Sequence, residues 1–558
     1  MSTSPLHSLT QRLSSWRFRA TPSKLVLIVA AWLMLTANWS FWRVVWDGVS
    51  GWGNGNILFL ASLPIFVLCW LYLLLSLLAW GRLSKPVLCM LVLVSAGAGY
   101  FMNTYGIVID YSMLTNVVQT DQAEALDLVN GRLIAWIACF GVVPALLILR
   151  TQLTSRGWKR EVSAKLGGMG VATVCLLAVA FAFYQPYASL IRNHREVRLL
   201  LVPSNVVAAA HGYLKRELAS PTKLELVGED AHRVARAGSG GKPRVTVVVV
   251  GETARAANFS LNGYARETNP ELGLRGVVNF PKTTSCGTST AVSVPCMFLD
   301  VGHDNYKDSM AGNREGLLDV LQRAGVEVLW RDNNSGCKGA CDRVPHEDLS
   351  NLDVPTLCAE GECQDEILLY DLQRYLDQLN KDAVIVLHMK GSHGPAYYKR
   401  YPKAFETFTP VCESNQLDQC SRESIVNAYD NSITYTDYVL SAAIDLLQSN
   451  SKRLDTAMLY VSDHGESLGE GGIYLHGLPY AMAPSEQTHV PMVLWLSSGM
   501  EESSGVSSQC MKQHAETEVS QDYLFHSVLS LMQVKTSAYQ RDLDLFLPCQ
   551  AERTAQAD

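Results

Sequence analysis

The sequence predicts a two-part protein: an α-helical membrane domain of five spans, followed by a soluble α/β/α domain on a mostly parallel sheet. Three observations carry this reading. Nearly all the long apolar runs lie before residue 192. Basic residues gather in alternate connections between those runs. From residue 244 onward, short β-branched runs alternate with helical stretches, the pattern of a parallel sheet covered by helices.

The predicted spans are Leu25–Trp42, Ile57–Trp80, Val87–Met102, Leu133–Leu149 and Met169–Ala188. The first is too long for the core of a cleavable signal peptide, and no small-residue cleavage site follows it. Arg12, Arg17, Arg19 and Lys24 precede the first span, Arg82 and Lys85 follow the second, and Arg150, Arg156, Lys159, Arg160 and Lys165 follow the fourth. The connection between the third and fourth spans instead carries Asp110, Asp121, Glu124 and Asp127. Every basic cluster then falls on one side with a cytoplasmic N-terminus, and an odd number of spans exports the second half. The boundaries read as a membrane domain at 1–190 with an outer loop at 103–131, an interfacial segment and linker at 191–243, and a catalytic domain at 244–558.

Cysteine usage gives the same compartment independently. Of the 14 cysteines, Cys69, Cys89, Cys139 and Cys175 lie in or beside spans. The rest follow residue 285 as close neighbours: Cys286/Cys296, Cys337/Cys341, Cys358/Cys363 and Cys412/Cys420, with Cys510/Cys549 left as a fifth pair. Disulfides in an oxidising compartment fit this even, tightly paired set. The spacings vary too much for a metal site built from C-x-x-x-C pairs. A net charge of -7 with no basic stripe excludes a nucleic-acid partner.

Chemistry-bearing residues collect just after the runs that read as buried strands. Val245–Val250 leads into Glu252, Val326–Trp330 into Asn333, Asn334 and Lys338, Ala383–Leu387 into His388 and His393, and Ala457–Val461 into Asp463, His464 and Glu466. Ligands of open α/β sheets bind outside the carboxyl ends of the strands. Glu252, Asp463 and His464 offer two carboxylates and an imidazole, and a hydroxyl from Thr284–Cys296 would complete a four-coordinate site for zinc or manganese. Thr288, Ser289 and Thr290 all lie in that stretch. Alternation along an extended segment sets Ser289 apart, leaving Thr288 and Thr290 open. His393 and His476 are candidates to hold a phosphate oxygen or protonate a leaving group, and Lys338 to neutralise charge at phosphorus. His388 reads as packed rather than catalytic. In the outer loop, Asn116, Thr120 and Glu124 recur every four residues, which on its own reads as a solvated helix face.

Several ordered motifs together resemble a known family. They are Gly251-Glu252-Thr253-Ala254-Arg255, Asn262-Gly263-Tyr264, Ser285-Cys286-Gly287-Thr288-Ser289-Thr290-Ala291, Gly336-Cys337-Lys338-Gly339-Ala340-Cys341, Gly391-Ser392-His393-Gly394-Pro395, Ser462-Asp463-His464-Gly465-Glu466-Ser467 and Leu475-His476-Gly477-Leu478-Pro479. The chain resembles the phosphoethanolamine–lipid A transferases, which include the mobile colistin-resistance enzymes, over essentially its full length.

The resemblance implies an alkaline-phosphatase/sulfatase-type soluble domain. It implies one tight Zn2+ site at Glu252, Thr290, Asp463 and His464, with Thr290 as nucleophile, and leaves room for a second, weaker metal. Asn334, Lys338, His393, Glu466 and His476 would line the phosphate region. Asn116, Thr120 and Glu124 would bind lipid substrate, which replaces the solvated-face reading. The donor would be phosphatidylethanolamine and the acceptor a lipid A phosphate. The protein would be a monomer in the bacterial inner membrane with its catalytic domain in the periplasm. A sulfatase centre is disfavoured, because Ser293-Val294-Pro295-Cys296-Met297 lacks the Arg expected in fifth place.

Overall fold

The computed structural model describes residues 18–50, 57–120, 122–154, 157–194, 197–217, 223–234, 241–359 and 361–550. Arg12, Arg17, Asp121, Arg156 and the linker residues Ala237–Gly240 lie outside the described residues. The chain divides into two compact units, Met1–Tyr111 with Val129–Tyr213, and Ser112–Leu128 with Leu214–Asp558.

In the first unit, Ile57–Leu78, Gly81–Tyr105, Gly131–Arg150 and Trp158–Ala182 are each long and apolar enough to cross a membrane. The predicted first span is not one straight helix. Pro22–Thr36 and Trp39–Asp47 meet at 59°. Asn38 explains the break: its amide nitrogen donates to Leu33 O and Val202 O, and its oxygen accepts from Val202 N. These bonds divert backbone partners from a continuous helix. The third span is longer than the expected Val87–Met102, running to Tyr105, where Gly106 ends it at φ 71°. The fifth ends at Ala182 rather than Ala188, and a separate helix, Tyr184–Asn193, follows.

The second unit is built on an eight-stranded sheet. In chain order its strands are β1 (Arg244–Gly251), β2 (Val278–Thr284), β3 (Glu327–Asp332), β4 (His346–Asp348), β5 (Ala383–His388), β6 (Asp455–Ser462), β7 (His489–Leu496) and β8 (Val519–Ser520). The order across the sheet is β8-β2-β7-β6-β1-β5-β3-β4. Only β7 runs against its neighbours. The four runs read from the sequence are thus adjacent, parallel and central, in the order β6-β1-β5-β3.

Both faces of these strands are covered. Val248 and Val250 of β1 join one core with Val384, Val386, Leu459 and Val461, while Val247 and Val249 join the other with Ile385, Leu387, Met458 and Tyr460. Burial on both sides explains why the strands read as unbroken apolar runs rather than as alternating ones. The long helix Arg422–Ser449 covers the second face, with its first turn capped by the Ser421 side chain on Ser424 N.

The outer-loop segment Ser112–Leu128 belongs to this second unit. It forms two helices, Tyr111–Gln119 and Gln122–Asp127, so the four-residue spacing of Asn116, Thr120 and Glu124 does not follow one continuous helix. Asp127 anchors it. Its carboxylate accepts from Lys399 Nζ at 2.5 Å and from Arg400 Nη2 at 2.8 Å, and its carbonyl accepts from Asn415. The side chains of Asp127 and Arg400 are only 8% and 3% exposed. Arg400 also donates to Glu362 Oε2 at 3.2 Å and to His393 O at 3.1 Å.

Five disulfides join Cys286–Cys296, Cys337–Cys341, Cys358–Cys363, Cys412–Cys420 and Cys510–Cys549. Alkylation of the unreduced protein should therefore label Cys69, Cys89, Cys139 and Cys175 alone, and label on any later cysteine would contradict the pairing. Removing one partner of a buried ion pair costs about 3–5 kcal/mol. Asp127→Ala should accordingly speed amide exchange in Tyr111–Gln119 while leaving the central strands protected, and unchanged exchange there would mean that other contacts hold the segment.

Candidate active site

Glu252 directly follows β1 and Asp463 directly follows β6, and these strands pair with Gly251 opposite Ser462. The register sets the two carboxylates side by side. Backbone bonds lace the strand ends together: Asp463 N to Gly251 O, Met389 N to Val250 O and Ser392 N to Glu252 O. Gly391 is required for this approach. It adopts φ +54°, and a Cβ there would meet Glu252 O at 2.5 Å. Thr253, at φ 53°, turns the chain so that its N–H donates to Asp463 Oδ1 at 3.1 Å. His464 N donates to the same oxygen at 2.7 Å, leaving Oδ2 to face inward.

Thr290 is the first residue of the short helix Thr290–Met297, entered through the extended Ser289 (φ -153°, ψ 150°). The Cys286–Cys296 bridge ties the preceding loop to the end of that helix. Thr290 Oγ1 donates to Glu252 Oε2 at 3.0 Å and lies 3.4 Å from His464 Nε2. The same Nε2 is 3.4 Å from Glu252 Oε1 and 3.2 Å from Asp463 Oδ2. His464 Nδ1 faces Gly465 O at 2.9 Å. That partner only accepts, so the proton sits on Nδ1 and the Nε2 lone pair faces the carboxylates.

The hydroxyls left open by the sequence now differ in their partners. Thr288 Oγ1 donates to Leu478 O at 2.6 Å, and its carbonyl accepts from Gly477 N, so Thr288 fastens the loop that carries His476. Of the two threonines, Thr290 is the one that reaches the cluster.

The donor set fits a cation. Glu252, Asp463 and His464 are all buried, and their ligand atoms lie within 4.8 Å of one another. Among the described residues, Glu252 Oε1 and Asp463 Oδ2 are buried with no hydrogen-bond donor. Two desolvated carboxylates facing each other repel, and an enclosed positive charge removes that cost. Without one, burial pushes the Glu252 carboxyl up, and Asp463 beside it adds to the rise. Burial likewise raises Asp463 to about 6. It lowers His464 to about 4, helped by His476. A neutral imidazole is the form that binds a metal.

The remaining expected residues surround this cluster. The His476 ring lies 4.3 Å from that of His464 and 5.3 Å from that of His393. Its Nδ1 meets Glu466 Oε2 at 2.7 Å, while Glu466 Oε1 accepts from Tyr397 OH at 2.7 Å. Burial raises the Glu466 carboxyl to about 7. Asn334 is placed within the protein's own network, its amide donating to Glu252 Oε2 and Met389 O at 2.8 Å each. Lys338 Nζ donates to Ser335 O at 2.7 Å and Gln119 O at 3.3 Å.

Helix Tyr111–Gln119 lies against the His476 loop: Gly477 has φ +86°, and a Cβ there would sit 2.7 Å from Met113 Cε and 3.9 Å from Asn116 Nδ2. Thr120 Oγ1 donates back to Asn116 O. The side chain of Glu124 lies outside the described residues. A cleft of about 900 Å³, lined by Gln119, Asn334, Ser335, Lys338, Glu362 and Lys390, opens beside the cluster.

Sequence reasoning missed three supporting groups. His388 is packed, as expected, but it is also paired, its Nδ1 lying 2.9 Å from Asp332 Oδ2. Asp127 ties the outer loop to Arg400. Gln521, fully buried, touches both the Thr290 loop and the Asp463 loop. Only the nearness of Asp332 to a strand end gave any signal.

Known proteins resemble this chain along nearly its whole length. Residues 244–534 match the sulfatase family model, and residues 67–218 match the model for phosphoethanolamine transferase EptA/EptB. Phosphoethanolamine transferase EptA of Escherichia coli K12 is 44% identical over 534 residues, covering 94% of this chain and 97% of that protein. Phosphatidylethanolamine transferase Mcr-1 of Escherichia coli is 40% identical over 500 residues, covering 87% and 92%. The solved structure of the integral membrane protein lipooligosaccharide phosphoethanolamine transferase A (EptA) from Neisseria meningitidis superposes with a TM-score of 0.92 at 39% identity, over 96% of this chain and 99% of that one. With an apolar helical unit joined to an alkaline-phosphatase/sulfatase-type unit, and relatives matched along nearly their whole length, this chain belongs to the phosphoethanolamine transferase family.

Proposed function

We propose that this transferase moves phosphoethanolamine from phosphatidylethanolamine to a phosphate of lipid A through a covalent phosphoethanolamine–Thr290 intermediate. The observation that carries this is the Thr290 hydroxyl held 3.0 Å from Glu252 Oε2 inside the buried donor set. In the first step Thr290 Oγ1 bonds to phosphorus and the bond from phosphorus to the diacylglycerol oxygen breaks. Glu252 Oε2, which accepts a hydrogen bond from the hydroxyl at 3.0 Å, takes the threonine proton. His476, hydrogen-bonded to Glu466, and His393 hold a phosphate oxygen and protonate the departing diacylglycerol. In the second step an oxygen of a lipid A phosphate bonds to phosphorus, the bond from phosphorus to Thr290 Oγ1 breaks, Glu252 returns the proton to Thr290, and the proton released by the attacking phosphate hydroxyl restores the histidine that protonated diacylglycerol. A zinc ion held by Glu252, Thr290, Asp463 and His464 would supply Lewis acidity that lowers the hydroxyl pKa.

A second, weaker metal would fall to Glu252, His393 and His476, whose donor atoms also lie within 4.8 Å of one another, and while bound it would take the place of proton donation by the two histidines. Asn116, Thr120 and Glu124 would seat lipid at the edge of the site, with Lys338 balancing charge at phosphorus. Asn334 would act chiefly by orienting Glu252. The enzyme works as a monomer in the bacterial inner membrane, N-terminus in the cytoplasm and catalytic unit in the periplasm. The basic connections and the five disulfides support that orientation. Capping a phosphate adds an ammonium group and weakens the surface's attraction for polymyxin-like cationic peptides.

Purified enzyme incubated with phosphatidylethanolamine should carry a phosphoethanolamine adduct on Thr290, found by peptide mass spectrometry. Thr290→Ala should abolish transfer without unfolding, while Thr288→Ala, which loses only the bond to Leu478 O, should retain part of it. An adduct on Thr288 would show that the wrong oxygen has been chosen. The soluble domain alone, from about residue 240, should fold, bind zinc and cleave short phosphodiester analogues, yet modify lipid A poorly because it lacks Ser112–Leu128. Full lipid transfer by that fragment would remove the outer loop from the reaction.

A further inference from the structure

We propose that Gln521 is a positioning residue that fixes the Thr290 loop against the Asp463–His464 loop. It lies just past the end of the edge strand β8 and is fully buried. Its backbone N–H donates to Thr284 O at 3.0 Å, continuing the pairing of β8 with β2. Its side chain then bridges the two loops. The carboxamide oxygen accepts from Cys286 N at 2.7 Å, and the nitrogen donates to Ser462 O at 2.6 Å and to Asp463 O at 2.7 Å. A carboxamide has two protons to give, and both are given to carbonyls of the loop that carries Asp463 and His464. Its acceptor is spent on the loop that carries Thr290.

The neighbouring residue strengthens the grip. Asp522 Oδ1 accepts from His303 N at 2.9 Å, and His303 Nδ1 in turn bonds Cys286 O at 2.6 Å. Cys286 is therefore held through its N–H by Gln521 and through its carbonyl by His303. Neither Gln521 nor Asp522 faces the reacting atoms. Their effect is on the separation between Thr290 Oγ1 and the carboxylate–imidazole cluster, where a displacement of about 1 Å can cost about a hundredfold in rate.

The inference rests on the roles proposed for Thr290, Asp463 and His464. Its test uses the full chain in phosphatidylethanolamine vesicles, comparing wild type with Gln521→Glu, Gln521→Met and, as a control, Ile444→Ala. Glutamate keeps the acceptor for Cys286 N but turns both donors into an oxygen facing two carbonyls. Methionine keeps the length and removes all three bonds. Ile444 is buried in the core of the opposite sheet face, so its truncation reports general destabilisation. The single-turnover rate of adduct formation on Thr290 should fall at least about tenfold in both Gln521 variants, with KM for the donor within about twofold of wild type. The control, at a comparable loss of melting temperature, should keep its rate. A near-normal rate in Gln521→Met, an equal loss in the control, or failure of both Gln521 variants to fold would each overturn the proposal. Absence of the Thr290 adduct in wild type would instead overturn the nucleophile assignment, so the two failures are distinguishable.

Discussion

Glu252 and Asp463 are two carboxylates buried at neighbouring strand ends, at 1% and 0% exposure, with one imidazole between them. Packing does not favour such an arrangement. Taking each charge out of water costs free energy, and their mutual repulsion grows as the surroundings become less polar. The fold has to force it, and the parallel pairing of β1 with β6 does so. Once Gly251 lies opposite Ser462, the next residue on each strand has no choice but to enter the same space. On the proposed reading a cation offsets this expense, with Glu252 Oε1 and Asp463 Oδ2 among the atoms that would hold it.

Much of the surrounding polar network limits how the cluster can relax. Asp463 Oδ1 is tied down by two backbone N–H groups, so its carboxylate cannot rotate to relieve the repulsion. Asn334 holds Glu252 Oε2 from one side and Thr290 from the other. His464 is locked into one tautomer by Gly465 O. On the proposed reading this is preorganisation: the groups that would meet developing charge are held by the protein's own hydrogen bonds.

The central half of the sheet and all the charged members of the cluster were legible in the sequence for the same reason. Strands buried on both faces read as unbroken β-branched runs, and a polar residue placed directly after one stands out. The direction of β7 was not legible, because it depends on which neighbour a strand meets rather than on its own residues. The bend after Thr36 was hidden for a related reason: Asn38 breaks the helix through a partner at Val202, 164 residues away. Thr288 and Thr290 could be told apart only by resemblance until their acceptors were visible. Gln521 bridges a separation of 235 residues to Cys286, and an isolated glutamine carries no periodic or motif signal. What the sequence shows poorly is support, since supporting residues are defined by contacts rather than by chemistry.

The placement of Ser112–Leu128 changes how the two units should be thought of. Chain order puts this segment between two apolar helices, and a hydropathy reading assigns it to the membrane domain. Its contacts assign it to the catalytic unit, through Asp127 on Arg400 and Met113 against Gly477. Arg400 reaches the carbonyl of His393, and Gly477 adjoins His476, so the segment touches the supports of both histidines proposed to handle the leaving group. The covalent connections at its two ends lead back into Gly81–Tyr105 and Gly131–Arg150. On the proposed reading both substrates are lipids. The segment is continuous at both ends with apolar helices, and within the second unit it adjoins the residues that carry both histidines.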